Sequence, residues 1–225
     1  WTFTPDTALG EGSHSFTVRA TDPLGNVSAV STPWSVVVDL TAPTVPTLDN
    51  VNDDVSGGVQ GNLTSGQVTN DSTPTISGTG LAGSTIHIMN NGTQIGTATV
   101  DGGGNWSFTP TAPLGDGSYS LRAYATDAAG NASANSSVFA FTVDTAAPGV
   151  PVVTSVIDDV GPVTGTLTSG NSTNDARPTF NGTGDVGSTV HVIVDGNEIG
   201  TAVVNAQGSW TFTPGTDLGE GPHAI

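Results

Sequence analysis

The chain has 225 residues, no cysteine, and only Arg19, Arg122 and Arg177 to set against 20 acidic residues, for a net charge of −17. That balance excludes nucleic acid, whose phosphates demand clustered Lys and Arg, and the lack of cysteine excludes a disulfide scaffold. No run approaches the roughly 20 apolar residues of a spanning helix, so direct membrane insertion is not expected, and any export signal is expected to lie outside this stretch.

From the first residue the chain repeats itself. WTFTP at 1–5 returns as WSFTP at 106–110 and as WTFTP at 210–214. Asp39-Leu-Thr-Ala-Pro returns as Asp144-Thr-Ala-Ala-Pro, and GNLTSGQVTNDSTPTISGTG at 61–80 returns as GTLTSGNSTNDARPTFNGTG at 165–184. A period of about 105 residues is a whole domain, well beyond the 20–50 residues of a solenoid unit. Residues 1–43 match the last part of a repeat, 44–147 make one complete repeat, and 148–225 match the first part of a third.

The incomplete first copy already shows period two: His14, Phe16, Val18 and Ala20 share one face, and Trp34, Val36 and Val38 share another. The complete repeat predicts seven strands, near 46–52, 73–79, 84–90, 93–100, 105–109, 118–126 and 137–144. In the third strand Ile86 and Ile88 alternate, as Val190, Val192 and Val194 do in the next copy. Half-buried alternation bounded by Gly, Asn and Pro reads as an antiparallel β-sandwich. Asn90-Asn91-Gly92 and Asp195-Gly196 are hairpin turns, since Asn, Asp and Gly tolerate positive φ. No stretch carries a helical pattern.

Ahead of the sixth strand, Asp116-Gly117-Ser118-Tyr119-Ser120-Leu121 places a tyrosine two residues before an apolar position. Immunoglobulin sandwiches carry a tyrosine corner there, two residues before a cysteine. Leu121 stands in the cysteine's place, with Phe16 and Ile225 in the other copies, and Tyr119 becomes His14 and His223. The fold class expected is therefore all-β, a tandem of immunoglobulin-like β-sandwich repeats without a disulfide.

With strands alternating in direction, the loops sort to two poles and gather the acids there. The first junction is expected to set Asp39 near Asp101, Asp127 and Asn131. The second is expected to gather Asp53, Asp54, Asp71, Asp116 and Asp144 near Asp185 and Asn205, and the third copy repeats the acid pair as Asp158 and Asp159. Like charges about 4 Å apart repel by roughly a kcal/mol or more at surface dielectric. A hard divalent cation with six to eight oxygen ligands relieves that cost, whereas Zn²⁺ asks for His or Cys. Asp127 and Asn131 do not begin an EF-hand loop, because no Glu follows at the twelfth position. The competing reading is that Asp and Asn are simply good turn residues; in TDPLGN at 21–26 and TDAAGN at 126–131 it accounts for the glycine and the Asn, while a cation shared with Asp39 is the reading that accounts for Asp127.

Other groups point away from catalysis. His87 and His191 fall out of step with the apolar positions and are expected on the solvated face. No nucleophile turn precedes a helix. Asp116 and Glu11 occupy equivalent positions in different copies, too far apart for a glycosidase pair. Trp106 and Trp210, each followed two residues later by Phe108 and Phe212, read as a core stripe.

Six ordered motifs taken together resemble the bacterial Ig-like repeats of giant surface adhesins and biofilm-associated proteins, which Gram-negative bacteria export by type I secretion. They include Asn52-Asp53-Asp54-Val55 with Ile157-Asp158-Asp159-Val160-Gly161, Thr69-Asn70-Asp71, Trp106, Ala125-Thr126-Asp127 and Val143-Asp144. The resemblance covers essentially the whole chain. It implies an extracellular, non-catalytic rod of repeats stiffened by Ca²⁺ around domain junctions. Its partners are then the neighbouring repeats, with a host or matrix ligand bound by other regions. Two alternatives stand beside it: a carbohydrate-binding or spacer module of an extracellular enzyme, and a filament subunit that assembles by strand complementation.

Overall fold

The period-two alternation folds as strands throughout. In the computed structural model, which describes residues 1–224, every regular element is a strand. Ile225, the third-copy counterpart of Leu121, lies outside the described residues. The chain divides into two compact units, Trp1–Thr145 and a second that starts at Ala146.

The first unit opens with β1 (Gly12–Phe16) and β2 (Trp34–Val38), an antiparallel ribbon in which Gly12 faces Val38 and Phe16 faces Trp34. There follow β3 (Asn50–Asp53), β4 (Gly61–Asn62), β5 (Val68–Thr69), β6 (Thr75–Thr79) and β7 (Thr85–Asn90). The complete repeat ends with β8 (Thr93–Thr99), β9 (Asn105–Phe108), β10 (Gly117–Thr126) and β11 (Phe139–Val143). One sheet has the order β4-β3-β6-β9 and the other β5-β11-β10-β7-β8. All neighbours are antiparallel except β5 and β11, which run parallel.

Alternation decides which side chains meet. Val51, Ile76 and Trp106 from one sheet close on Ile86, Ile88, Leu121, Ala123, Ala125, Phe141 and Val143 from the other. Each large apolar side chain removed from water there contributes about 1.5–3 kcal/mol. The strand positions follow the predicted ones with two differences. The first strand starts at Asn50 instead of 46, although Thr47 N and Asp49 N still donate to Thr79 O and Ser77 O at 2.9 Å. The 53–72 loop also contributes two short strands, β4 and β5, where no strand was predicted; Leu63 between them is buried.

The second unit repeats the plan with β12 (Val152–Asp158), β13 (Gly165–Leu167), β14 (Thr179–Thr183), β15 (Thr189–Val194), β16 (Asn197–Val203) and β17 (Ser209–Phe212). The order β13-β12-β14-β17 faces the pair β15-β16 across Phe180, Val190, Val192, Val204 and Trp210. Both hairpins turn as the sequence predicts, with Asn91 at φ 49°, Gly92 at 85°, Asp195 at 51° and Gly196 at 80°.

The corner is built three times. Tyr119 Oη donates to Gly115 O at 2.8 Å, and the His14 and His223 Nε2 atoms donate to Gly10 O and Gly219 O at 2.7 Å. A histidine ring thus performs the same closure four residues upstream. His87 departs from its expected solvation. It is half-buried, stacked on Tyr124 with centroids 4.6 Å apart, and bonded to Gln94 Oε1 and Thr126 Oγ1 at 2.8 and 3.0 Å. Cross-strand pairing of Tyr124 with His87 brings the two rings together. His191 is exposed beside Glu198.

Candidate functional site

The acids at the end of β3 form a buried lock. Asp53 is 1% exposed; its Oδ1 accepts the Val55 N–H at 2.9 Å and its Oδ2 accepts the Thr69 hydroxyl at 2.5 Å. Thr69 Oγ1 in turn accepts the Asp71 N–H at 3.0 Å, and Asp71 Oδ1 accepts the Thr73 N–H at 2.7 Å. One threonine therefore ties the buried Asp53 carboxylate to the main chain at Asp71 across the long loop. Asn70 Nδ2 adds a bond to Ser56 O at 3.2 Å. Two buried acceptors here, Asp71 Oδ2 and Asn70 Oδ1, have no hydrogen-bond partner.

The second unit builds the lock again from Asp158, Thr173 and Asp175. Thr173 Oγ1 donates to Asp158 Oδ2 at 2.6 Å and accepts the Asp175 N–H at 2.9 Å. Asp158 Oδ1 accepts the Val160 N–H at 2.9 Å, and Asp175 Oδ1 accepts the Arg177 N–H at 2.8 Å. The acid pairs split in both copies: Asp53 and Asp158 point inward while Asp54 and Asp159 are exposed. Successive residues leaving a strand face opposite sides. Thr69, Thr173 and Asp175 belong to the lock without standing out among the acids. The repeated Thr-Asn-Asp at 69–71 and 173–175 is the signal that marks them.

At the other pole the loop after β10 is self-contained. Asp127 Oδ1 accepts the Ala129 and Asn131 N–H groups at 2.9 Å, and Oδ2 accepts Asn131 Nδ2 at 2.9 Å. Asp22 and Asn26 in the first copy make the same set, at 2.9, 2.8 and 2.8 Å. These bonds, led by the Asn131 side chain for Asp127 and the Asn26 side chain for Asp22, hold both carboxyls below their ordinary value. Turn chemistry thus accounts for the Asp and the Asn of each loop. Asn131 does one thing more: its Nδ2 donates to Asp39 O at 3.0 Å.

The remaining acids are placed as follows. Asp39 Oδ1 accepts the Thr41 N–H at 3.0 Å, and Asp101 Oδ1 accepts the Gly103 and Asn105 N–H groups at 2.8 and 2.9 Å. Asp116 Oδ1 takes the Thr145 N–H and hydroxyl at 2.9 and 2.8 Å, which lowers its pKa. Asp144 N donates to Thr69 O at 2.9 Å, joining the exit strand to the lock. Among the described residues no three His, Asp or Glu side chains gather into a group that could hold a metal. Ca²⁺ fits the donors all the same, since they are oxygens, and the two unpartnered buried acceptors at Asn70 and Asp71 are its ligand type. Main-chain carbonyls and water would have to complete the shell.

A family model described as bacterial Ig-like domain matches residues 1–40, 42–145 and 151–225. Exoglucanase A of Cellulomonas fimi is 37% identical over 128 residues, covering 54% of this chain and 13% of the relative. Exoglucanase B of the same organism is 33% identical over 160 residues, covering 66% of this chain and 13% of the relative. The chain therefore spans about an eighth of the length of these curated relatives. A solved tetra-tandem repeat in the extending region of a large adhesion protein is 23% identical, with 92% of this chain and 49% of that chain covered and a TM-score of 0.35. With the family model matched three times over nearly every residue, on a fold of paired β-sheets without cysteine, the chain belongs to the bacterial Ig-like domain family.

Proposed function

We propose that the chain is part of the repeat region of a large bacterial surface adhesin, an extracellular, non-catalytic rod that projects a binding tip in cell adhesion or biofilm formation. The repeats are taken as 1–43, 44–147 and 148–225. Each repeat's partners are its neighbours in the same chain, and a host or matrix ligand is bound by other regions. The observation that carries this reading is the tandem itself: the same family model matches end to end, and each copy spends its acids on loop ends instead of a cleft. Ca²⁺ is the cation proposed to order the repeat ends. Asp39, Asp101, Asp127 and Asn131 would hold it at one pole, Asp53, Asp54, Asp71 and Asp144 at the other, with Asp158 and Asp159 in the third copy. Bound there, it would offset a net charge of −17 that no Lys and only three Arg are present to balance.

The test is calorimetric melting of the 225-residue chain in Ca²⁺ and in chelator. A ligand that binds only the native state raises the midpoint, by about 2.7 kcal/mol of stability at a hundred times Kd. Identical midpoints up to 10 mM Ca²⁺ remove the cation from the proposal. A second reading is favoured by the two exoglucanase relatives, namely a spacer module of a polysaccharide-degrading enzyme. Antibody labelling of intact cells supports the adhesin, and release of the antigen with cellulase activity supports the spacer.

A further inference from the structure

Asn131 has two amide hydrogens to give. One goes to Asp127 Oδ2 at 2.9 Å, and the other goes to the main-chain carbonyl of Asp39, 92 residues earlier, at 3.0 Å. Asp127 is itself pinned through Oδ1 by the Ala129 and Asn131 N–H groups. The side-chain amide is therefore aimed before it meets the linker. Beyond the clamped carbonyl, Asp39 Oδ1 accepts the Thr41 N–H at 3.0 Å, and Pro43 and Pro46 are buried. The segment that leaves the first copy is fixed at its first residue and packed at its prolines.

We propose that the Asp-x-x-x-Asn loop is a docking surface for the exit segment of the repeat before it, and that its Asn amide sets the linker's path with or without a bound cation. The partner is a main-chain carbonyl at the end of an Asp-x-x-Ala-Pro exit, so recognition does not depend on the linker's side chains. This explains the residue type at 131. An aspartate there would set a second carboxylate against Asp127 and present an acceptor to the Asp39 carbonyl. The clamp uses Nδ2 alone and leaves Oδ1 of Asn131 to a Ca²⁺ ion, so the proposal adds to the rod reading and does not require its metal. Asn26 supplies an internal reference. It makes the same bond to Asp22, at 2.8 Å, in a loop that does not reach this linker.

Chymotrypsin cleavage between Leu40 and Thr41 of the full 225-residue chain, followed by mass spectrometry in chelator, reads how freely the linker moves, since Leu40 is 66% exposed. Asn131→Ala and Asn131→Asp are expected to accelerate that cut about five- to tenfold, the scale of one hydrogen bond. Asn26→Ala is expected to leave it unchanged. A wild-type rate in both Asn131 variants overturns the clamp, as does equal acceleration by Asn26→Ala, which would be a general loop effect. If chelator alone accelerates the wild-type cut tenfold, a cation holds the linker and the clamp fails while the rod reading stands. Melting of the Asn131 variants within a few degrees of wild type keeps the cut a linker measurement, and Asn131→Asp, nearly the same shape, carries the test should Asn131→Ala unfold.

Discussion

Thr69 carries a burden out of proportion to its size, because its hydroxyl serves two buried groups at once. Thr69→Val keeps the shape but strands Asp53 Oδ2 and the Asp71 N–H without partners. Bonds to charged groups are worth about 1.5–3 kcal/mol, so the complete repeat is expected to lose about 2–3 kcal/mol in urea denaturation, with Thr69→Ser losing less. His223 offers a different test. Its Nδ1 lies 2.7 Å from Asp195 Oδ2; that hydrogen bond raises the His223 pKa above 6.5, while the Ala224 N–H first and then the His223 ring lower the Asp195 pKa below 3.8. A raised histidine contributes stability below its unfolded value and loses it as pH rises through the folded one; a lowered aspartate loses its contribution as pH falls through its folded value. The 219–224 segment is therefore expected to be held most firmly between the two ordinary values and to loosen as pH rises past the histidine's. Hydrogen exchange of that segment against pH checks this, and His223→Tyr, the residue type of the complete repeat, should abolish the alkaline loosening. At this scale the sequence was legible where a residue type recurs at one position, as with Tyr119, His14 and His223. It was opaque where a burial decides the role: nothing in Asp53-Asp54 says which carboxylate turns inward until the strand's phase is known.

At the scale of the element, alternation alone placed the long strands, because a one-residue slip would move Ile86 and Ile88 to the solvent face. The short pieces β4 and β5 escaped it, since two residues have no period. They exist through Leu63, which is buried, and through the lock at Thr69, both of which are tertiary facts. Glycine in β6 is likewise a matter of its neighbours. A Cβ at Gly78 would collide with Thr47 O and come within 2.9 Å of Trp106, whose Nε1 donates to Thr47 O and Thr79 O at 3.2 Å. Gly182 stands in the same relation to Val152 O and Trp210 in the second unit. Overpacking of this kind costs up to about 3 kcal/mol. Gly78→Ala is expected to lower the melting midpoint of the first unit and leave the second unchanged, with Gly182→Ala the reverse. Gly102→Ala, where nothing lies within 4 Å, serves as the neutral control.

For the whole molecule, the concentration of acids at loop ends leaves the sheets nearly free of charge, so packing within a repeat rests on apolar burial while the acids serve the loops. Repetition made that division visible in the sequence; the partners of the acids were not, because most turned out to be backbone N–H groups, which no sequence displays. The parallel pairing of β5 with β11 has a consequence of its own. Tension between the ends of the repeat pulls first on β3 and on the exit of β11; once it reaches β5, it draws that strand's entry against the exit of β11, along the length of both. Gly66 N, Thr142 N and Asp144 N bond across this pair to Ala140 O, Gln67 O and Thr69 O at 2.8, 3.0 and 2.9 Å. These bonds are loaded together, in shear. A repeat so built resists stretching until several bonds give way at once, where an antiparallel hairpin pulled from its open end would unzip one bond at a time.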